Sequence, residues 1–201
     1  MSENPPATAP RRLAHTRRIV CTGYARDDGL YDIEARMEDT RGHHSTMLFK
    51  EVPAGGAIHD MWLRITVDGD FVIRDARALT HATPTPYCAG ISAAYAKLIG
   101  IRIGNGFMKE VKARVGGAQG CTHLSELLGP MATTAFQTIM GLHGDEHDAL
   151  ATGGGARAPM LSMLDSCHAW RADGEVVQIL RQRAAQRADR GQALADEAPN
   201  A

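Results

Sequence analysis

Two short segments carry the residues whose chemistry is most informative. Residues 58–64, Ile-His-Asp-Met-Trp-Leu-Arg, enter a predicted strand, and residues 120–124, Gly-Cys-Thr-His-Leu, enter a predicted helix. Cys88 lies between them, at a third junction between a strand and a helix. Imidazole, thiolate and carboxylate groups are the ligands that zinc and iron take in proteins. If the fold brings the three junctions together, the sequence predicts a metal site.

The alternation along the predicted strand gives His59 and Asp60 opposite directions. His59 has the parity of Met61 and Leu63, so it is predicted to point to the apolar face of the sheet. An imidazole on that face needs a polar partner, which a metal or a carboxylate would supply. Asp60 is predicted to point the other way wherever the strand is regular.

The two cysteines precede predicted helices. Cys121 stands directly before one helix, with Thr122 as the expected N-cap, and Cys88 stands just before another. The field at a helix start favours the thiolate form of a cysteine. The adjacent His123 would add an imidazole to the same region.

The sequence also allows a purely structural interpretation. A single buried cysteine is usually a small apolar residue, and a histidine at a strand start is usually a hydrogen-bonded core residue. The spacing of these residues is too wide for a compact zinc motif. Residues 143–147 match the pattern H-x-x-E-H, but the surrounding glycines disfavour the helix it needs, so we interpret it as a chance match. Cations at residues 15–18 and 24–26 favour a solvated strand face over an anion site.

Composition narrows the class of protein. The chain has 201 residues, 44% of them hydrophobic and 22% charged, as expected for one globular domain. The formal net charge is −1 and no basic stripe appears, which argues against nucleic acid as a partner. No apolar run has the length of a membrane span, and residues 1–10 do not form a signal peptide, so the cytoplasm is the expected location. Four widely spaced cysteines there favour free thiols or metal ligands over disulfides.

Alternating residues predict two antiparallel hairpins. The first joins strands around residues 15–24 and 31–38 through Asp27-Asp28-Gly29, and the second joins strands around 61–67 and 71–79 through Asp68-Gly69-Asp70. A helical period follows, with helices at 91–99 and 107–115 and a long helix from 124 to 139 that Pro130 should kink. Shorter helices are expected at 160–170 and 175–187. Strands followed by helices predict an α+β fold, an antiparallel sheet of two hairpins with helices packed on one face.

We expect one α+β domain over residues 13–187. Residues 1–12 are rich in proline and alanine and are predicted to be disordered. Residues 188–201 are predicted to form a disordered tail.

Four motifs suggest a family. They are His15-Thr16-Arg17, Asp28-Gly29-Leu30-Tyr31-Asp32-Ile33, and the two segments 58–64 and 120–124. Through them residues 15–170 resemble an uncharacterised bacterial family, domain of unknown function 2889. The resemblance implies no particular activity, although the occurrence of its members in bacteria that degrade aromatic compounds hints at such substrates.

Residues 58–140 are also similar in layout to the NifU-type iron–sulfur cluster scaffold. His59-Asp60 stand where that family has Gly-Asp, Cys88 stands at its second cysteine and Cys121 at its third. The similarity implies a NifU/SufE-like core in which Asp60, Cys88 and Cys121 converge. Ile58 replaces the first scaffold cysteine, and a cluster needs its full ligand set, so a fixed site is favoured over a cluster carrier.

These observations favour a small metal-dependent enzyme of bacterial small-molecule catabolism. Zinc or iron would be held by some of His59, Asp60, Cys88, Cys121 and His123. An open coordination position would polarise a substrate oxygen or activate water. The concrete form of this hypothesis is a lyase that cleaves a C–C bond beside a hydroxyl group of an aromatic compound.

The expected proton carriers are His123, Tyr24 and Tyr31. Two alternatives stay open: an iron–sulfur or sulfur-handling accessory protein, and a metal-free binding domain whose histidines and cysteines only pack. A small molecule is the expected partner. The sequence identifies neither the substrate nor the metal, and homo-oligomer formation stays open.

Overall fold

The computed structural model describes residues 9–142 and 164–196. Its strands are β1 (His15–Ala25), β2 (Tyr31–Arg41), β3 (Ser45–Thr46), β4 (Glu51–Val52), β5 (Ala57–Val67) and β6 (Ile73–Ala82). Its α-helices are α1 (Phe107–Val115), α2 (Thr122–Glu126), α3 (Leu128–Leu142) and α4 (Glu175–Asp196), and 3-10 helices span Cys88–Leu98, Gly117–Gln119 and His168–Trp170. The α+β class predicted from the sequence is confirmed.

The main sheet has the strand order β1-β2-β5-β6, and every neighbouring pair is antiparallel. The two predicted hairpins form, and β2 pairs with β5 to join them into one sheet. Alternation along β2 is strict, because Ile33, Ala35 and Met37 are fully buried whereas Arg36 is exposed. The short pair β3–β4 lies in the segment that joins the two hairpins.

The helices after β6 build the hydrophobic core on the buried face of this sheet. The largest side chains that they contribute are Tyr95, Leu98, Phe107, Leu124, Leu127, Leu128, Met131 and Ile139. Helix α3 comes so close to β1 that a Cβ atom on Gly23 would lie 1.8 Å from Oγ1 of Thr138. Glycine at this position therefore permits the contact between sheet and helix.

Two irregularities in the sheet lie on either side of His59. In the pairing of β2 with β5 the register shifts between Asp39 and Thr40, and in the pairing of β5 with β6 it shifts between Asp60 and Met61. Bulges of this kind re-aim side chains and are frequent beside functional sites. The pairing of β5 with its two neighbours is thus irregular on both sides of His59.

The prediction of a single kinked helix over residues 124–139 is wrong. The chain forms α2 and α3, which are separated at Leu127. Pro130 is the third residue of α3, and the first turn is where proline is tolerated because its missing N–H would have no partner there. The proline therefore sits at the start of a new helix. The helix predicted at 91–99 is a 3-10 helix over Cys88–Leu98.

The described chain divides into two compact units, one up to Ile139 and one from Met140. In the second unit α4 runs to Asp196, beyond the end predicted at residue 187. The pattern at residues 143–147 lies outside the described residues, as do residues 1–8 and 197–201 of the two predicted disordered ends. No described helix is both long and apolar enough to cross a membrane.

Candidate functional site

Three polar side chains form a row across the buried face at one end of the sheet. Arg17 of β1 pairs in register with Asp39 of β2, and Asp39 pairs with His59 of β5. Directly paired residues on antiparallel strands hold their side chains in contact. The row therefore places a cation, a carboxylate and an imidazole next to one another.

Asp39 is the centre of the row. Its side chain is only 1% exposed, and Arg17 binds both of its oxygens at 2.8 Å, from Nε to Oδ1 and from Nη2 to Oδ2. Nδ1 of His59 lies 2.9 Å from Oδ2 and Nε2 of His15 lies 3.3 Å from Oδ1. The hydrogen bonds from Arg17 outweigh burial and lower the pKa of Asp39 to about 2, so the carboxylate is ionised at neutral pH.

His59 faces a second imidazole. The ring of His123, in α2, stacks on that of His59 with 3.9 Å between centroids and 35° between planes. Burial lowers the pKa of His59, the neighbouring His123 lowers it further, and the hydrogen bond that the ring makes to the Asp39 carboxylate opposes both. The lowered pKa favours the neutral form of the His59 ring, which is the form that binds a metal or accepts a proton.

The three groups that meet here could hold a metal ion. One ligand atom from each of Asp39, His59 and His123 lies within 4.8 Å of the other two. We call these three residues the Asp-His-His cluster. Asp39 is buried, whereas His59 and His123 are each partly exposed, so the two imidazoles form the open side of the cluster.

Arg17 also connects the cluster to α2. Its Nη1 lies 2.5 Å from Oε2 of Glu126, whose side chain is 46% exposed. One guanidinium is therefore shared by two carboxylates, those of Asp39 and Glu126. The ion pairs raise the pKa of Arg17 above its ordinary value.

Cys121 stands beside the cluster. Its Sγ is 4.0 Å from Nδ1 of His123. The predicted N-cap at Thr122 is wrong, because Thr122 is already the first residue of α2 and Cys121 occupies the cap without a hydrogen bond from its side chain. The backbone of Cys121 is instead bound by the hydroxyl of Tyr95, which donates to its carbonyl at 2.8 Å and accepts from its N–H at 3.1 Å.

The structure brings His59, His123 and Cys121 together and places two other predicted ligands elsewhere. Asp60 points to the opposite face of the sheet, where Arg36 binds it through Nε at 2.8 Å and Nη2 at 2.7 Å. Successive residues of a strand point to opposite faces, so His59 and Asp60 are not brought to one site. The Cys88 thiol lies 3.1 Å from Oγ1 of Thr85 and does not belong to the cluster found among the described residues.

The two predicted proton carriers on strands also lie away from the cluster. Tyr31 begins β2 and Asp39 stands near its end, which separates them by about 25 Å at about 3.3 Å per residue. Tyr24 is in register with Asp32, at the same far end of the sheet as Tyr31, and is 49% exposed. Of the three predicted proton carriers, only His123 lies in the cluster.

The sequence interpretation missed Asp39 and Arg17. Asp39 continues the parity of Ile33, Ala35 and Met37, so the alternation of β2 already placed a carboxylate on the buried face. Arg17 was assigned to a solvated strand face, but it shares the parity of Ile19 and pairs with Asp39. Each is an ionisable residue at a strand position that the alternation assigns to the buried face, and this pattern could have identified both.

Comparison with known proteins gives a family and no activity. The model of a family described as "Protein of unknown function (DUF2889)" matches residues 15–137. No curated protein and no solved structure matches the chain. The expected NifU-like layout is therefore not confirmed.

Proposed function

The chain belongs to the DUF2889 family, and we propose that it is a metal-dependent enzyme acting on a small molecule. The observation that carries this proposal is the approach of ligand atoms from Asp39, His59 and His123 to within 4.8 Å of one another. Two imidazoles and a carboxylate, contributed by β2, β5 and α2, are a ligand set typical of zinc and of non-haem iron.

The charges around the cluster favour a cation as its occupant. Asp39 and Glu126 each carry a negative charge, and both are bound to the single guanidinium of Arg17. This group of three side chains therefore has one negative charge in excess. Three of the five N–H groups of Arg17 are already bound to these carboxylates, so an anionic substrate group would compete with them, whereas a divalent cation would reduce the excess charge.

Nδ1 of His59 already faces the carboxylate of Asp39, 2.9 Å from its Oδ2. A metal that took both residues as ligands would replace this hydrogen bond. His123 would supply the second nitrogen from α2. Asp39, fixed by Arg17, would supply the carboxylate, and Cys121 offers a thiol beside His123.

A metal held here would supply a Lewis acid that polarises a substrate oxygen or lowers the pKa of a bound water. The side chains of the site would bind and orient that oxygen at the open side near His123. We propose a lyase that cleaves a C–C bond beside a hydroxyl group as the first reaction to test, with aromatic compounds as the first substrates. Zinc and iron are the first metals to test.

One observation favours a second candidate, a metal-free enzyme that uses His59 as a general base. The four hydrogen-bond positions of the Asp39 carboxylate are filled by two bonds from Arg17 and by the contacts with His59 and His15. A carboxylate at Nδ1 of a histidine with a lowered pKa is the arrangement that orients an imidazole base. In this candidate the His59 ring exchanges a proton with the substrate directly.

Metal analysis of protein purified without a histidine tag separates these candidates. The proposal predicts about one zinc or iron per chain, lost in His123→Ala and retained in His44→Ala, a control histidine whose side chain is 58% exposed. Folded wild-type protein without metal, even after incubation with Zn²⁺ or Fe²⁺, would contradict the proposal and favour the metal-free base. Iron accompanied by acid-labile sulfide would instead support the iron–sulfur alternative.

A further inference from the structure

Tyr95 is a buried side chain that connects the 3-10 helix Cys88–Leu98 to the start of α2. It is fully buried, and its hydroxyl contacts both backbone polar groups of Cys121. The same hydroxyl lies 2.8 Å from Oγ of Ser125, which is also within 3.4 Å of the carbonyl oxygen of Val115. One phenol therefore binds the first turn of α2 at two positions.

The start of helix α2 depends on contacts with the rest of the fold. It contains five residues, and Cys121 makes no capping hydrogen bond with its side chain. A helix this short is not stable by itself and depends on tertiary contacts. On the other side of the junction the backbone is tightly packed, since a Cβ on Gly120 would lie 1.9 Å from the carbonyl oxygen of Val115. Tyr95 and the Val115 backbone thus fix the chain immediately before His123.

We infer that Tyr95 is a positioning residue, which holds the start of α2 so that the His123 ring lies against His59. The inference rests on the proposed function, since the position of His123 matters for activity only if His123 is a ligand. The connection is short: Tyr95 binds the backbone of Cys121, and His123 follows two residues later. The hydroxyl of Tyr95 is hydrogen-bonded to Cys121 and Ser125 rather than to the histidines of the cluster.

The substitution Tyr95→Phe isolates the hydroxyl. Phenylalanine keeps the aromatic ring in the core, but it leaves the N–H of Cys121 without its partner and removes one partner of the Cys121 carbonyl. The start of α2 should then shift or fluctuate, and His123 should move with it. A purely structural role would lower stability without altering the approach of the two imidazoles.

The test compares wild type, Tyr95→Phe and a control, Val111→Ala, by two measurements. Val111 is 2% exposed in α1, so its truncation weakens the same core without removing a hydrogen bond at the start of α2. NMR of the metal-free proteins measures the nuclear Overhauser contact between the rings of His59 and His123. Titration with Co²⁺, followed by its visible absorption, measures affinity and ligand geometry.

We expect Tyr95→Phe to weaken the contact between the rings and to alter the absorption band of bound Co²⁺. The affinity for Co²⁺ should fall about tenfold, which is the size of effect typical of residues that orient ligands. Val111→Ala should leave both unchanged. An unchanged ring contact in Tyr95→Phe would overturn the inference, as would equal effects of the two substitutions. If wild-type protein binds no Co²⁺, that result contradicts the proposed function alone. The measurement of the ring contact then still tests the role of Tyr95.

Discussion

His59 and Asp39 are twenty residues apart in the chain, yet Nδ1 of the histidine lies 2.9 Å from Oδ2 of the aspartate. They are paired in register on β5 and β2, just where that pairing becomes irregular. Arg17 approaches the same carboxylate from β1. Three adjacent strands thus build the base of the site, and α2 closes it with His123.

Removing the charge of Asp39 should destabilise the fold. Asp39→Asn keeps the shape of the side chain but deprives Arg17 of a buried partner, so we expect the free energy of unfolding to fall by about 1–3 kcal/mol. The measurement is urea unfolding of the metal-free protein at neutral pH. As a control, Asp75→Asn alters a carboxylate that is 39% exposed and should cost less than about 1 kcal/mol. Equal effects of the two substitutions would contradict the central place of Asp39.

The ligand set of the structure differs from that expected from sequence, and two substitutions distinguish them. Asp60→Asn and Cys88→Ser should leave the metal content of the protein unchanged, because Asp60 lies on the opposite sheet face and Cys88 contacts Thr85. His59→Ala should abolish stoichiometric metal. Elemental analysis of the folded variants gives the answer. Loss of metal from both Asp60→Asn and Cys88→Ser would restore the ligand set predicted from sequence.

Asp68 should make stability depend on pH. Burial acts to raise its pKa, but hydrogen bonds from the N–H of Val72 and from Arg74 outweigh it, so the pKa in the folded state is lowered. The stabilisation is therefore present above the ordinary carboxyl pKa of about 3.9 and is lost as the pH falls through the folded value. Asp68→Asn should lose stability at neutral pH and converge with wild type in acid, as measured by urea unfolding from pH 7 to pH 3. Asp70→Asn is the control, since that side chain is 75% exposed, and its free energy of unfolding should follow that of wild type throughout. A difference in stability between Asp68→Asn and wild type that stays constant from pH 7 to pH 3 would refute the assignment.

Gly23 should be intolerant of a side chain. The Cβ atom of Gly23→Ala would overlap Oγ1 of Thr138, so β1 and α3 would have to separate, at a cost of about 1–3 kcal/mol. Thermal and urea denaturation measure this cost. Thr138→Ala in the same chain should recover part of it, because it removes the atom in the way. Gly69→Ala is the control, since nothing lies within 4 Å of a Cβ there; similar losses at Gly23 and Gly69 would rule out the steric account.

The sequence was sufficient to predict the two hairpins, because the pattern that specifies them is local. Alternation from Tyr31 to Met37 and the turns at Asp28-Gly29 and Asp68-Gly69 specify two hairpins and their buried faces. The direction of His59 followed from the same parity. The break between α2 and α3 was harder to predict. Pro130 is compatible either with a kink in one long helix or with the first turn of α3, and only tertiary packing decides between them.

Only part of the site was predicted, because the rest depends on contacts between residues that are distant in sequence. His59, Cys121 and His123 were recognised by residue type and by their position at element ends. Asp39 and Arg17 were not, because their importance depends on the register between β1, β2 and β5, which brings together residues distant in sequence. The bulges beside His59 are equally non-local features.

X-ray absorption at the K edge of the bound metal tests the central claim most directly. The account predicts zinc or iron with imidazole scattering from two histidines, which falls to one in His123→Ala, while the oxygen contribution falls in Asp39→Asn. Sulfur as the only ligand type would contradict the account, as would imidazole scattering that His59→Ala and His123→Ala leave unchanged. A folded protein that takes up neither metal would contradict it as well.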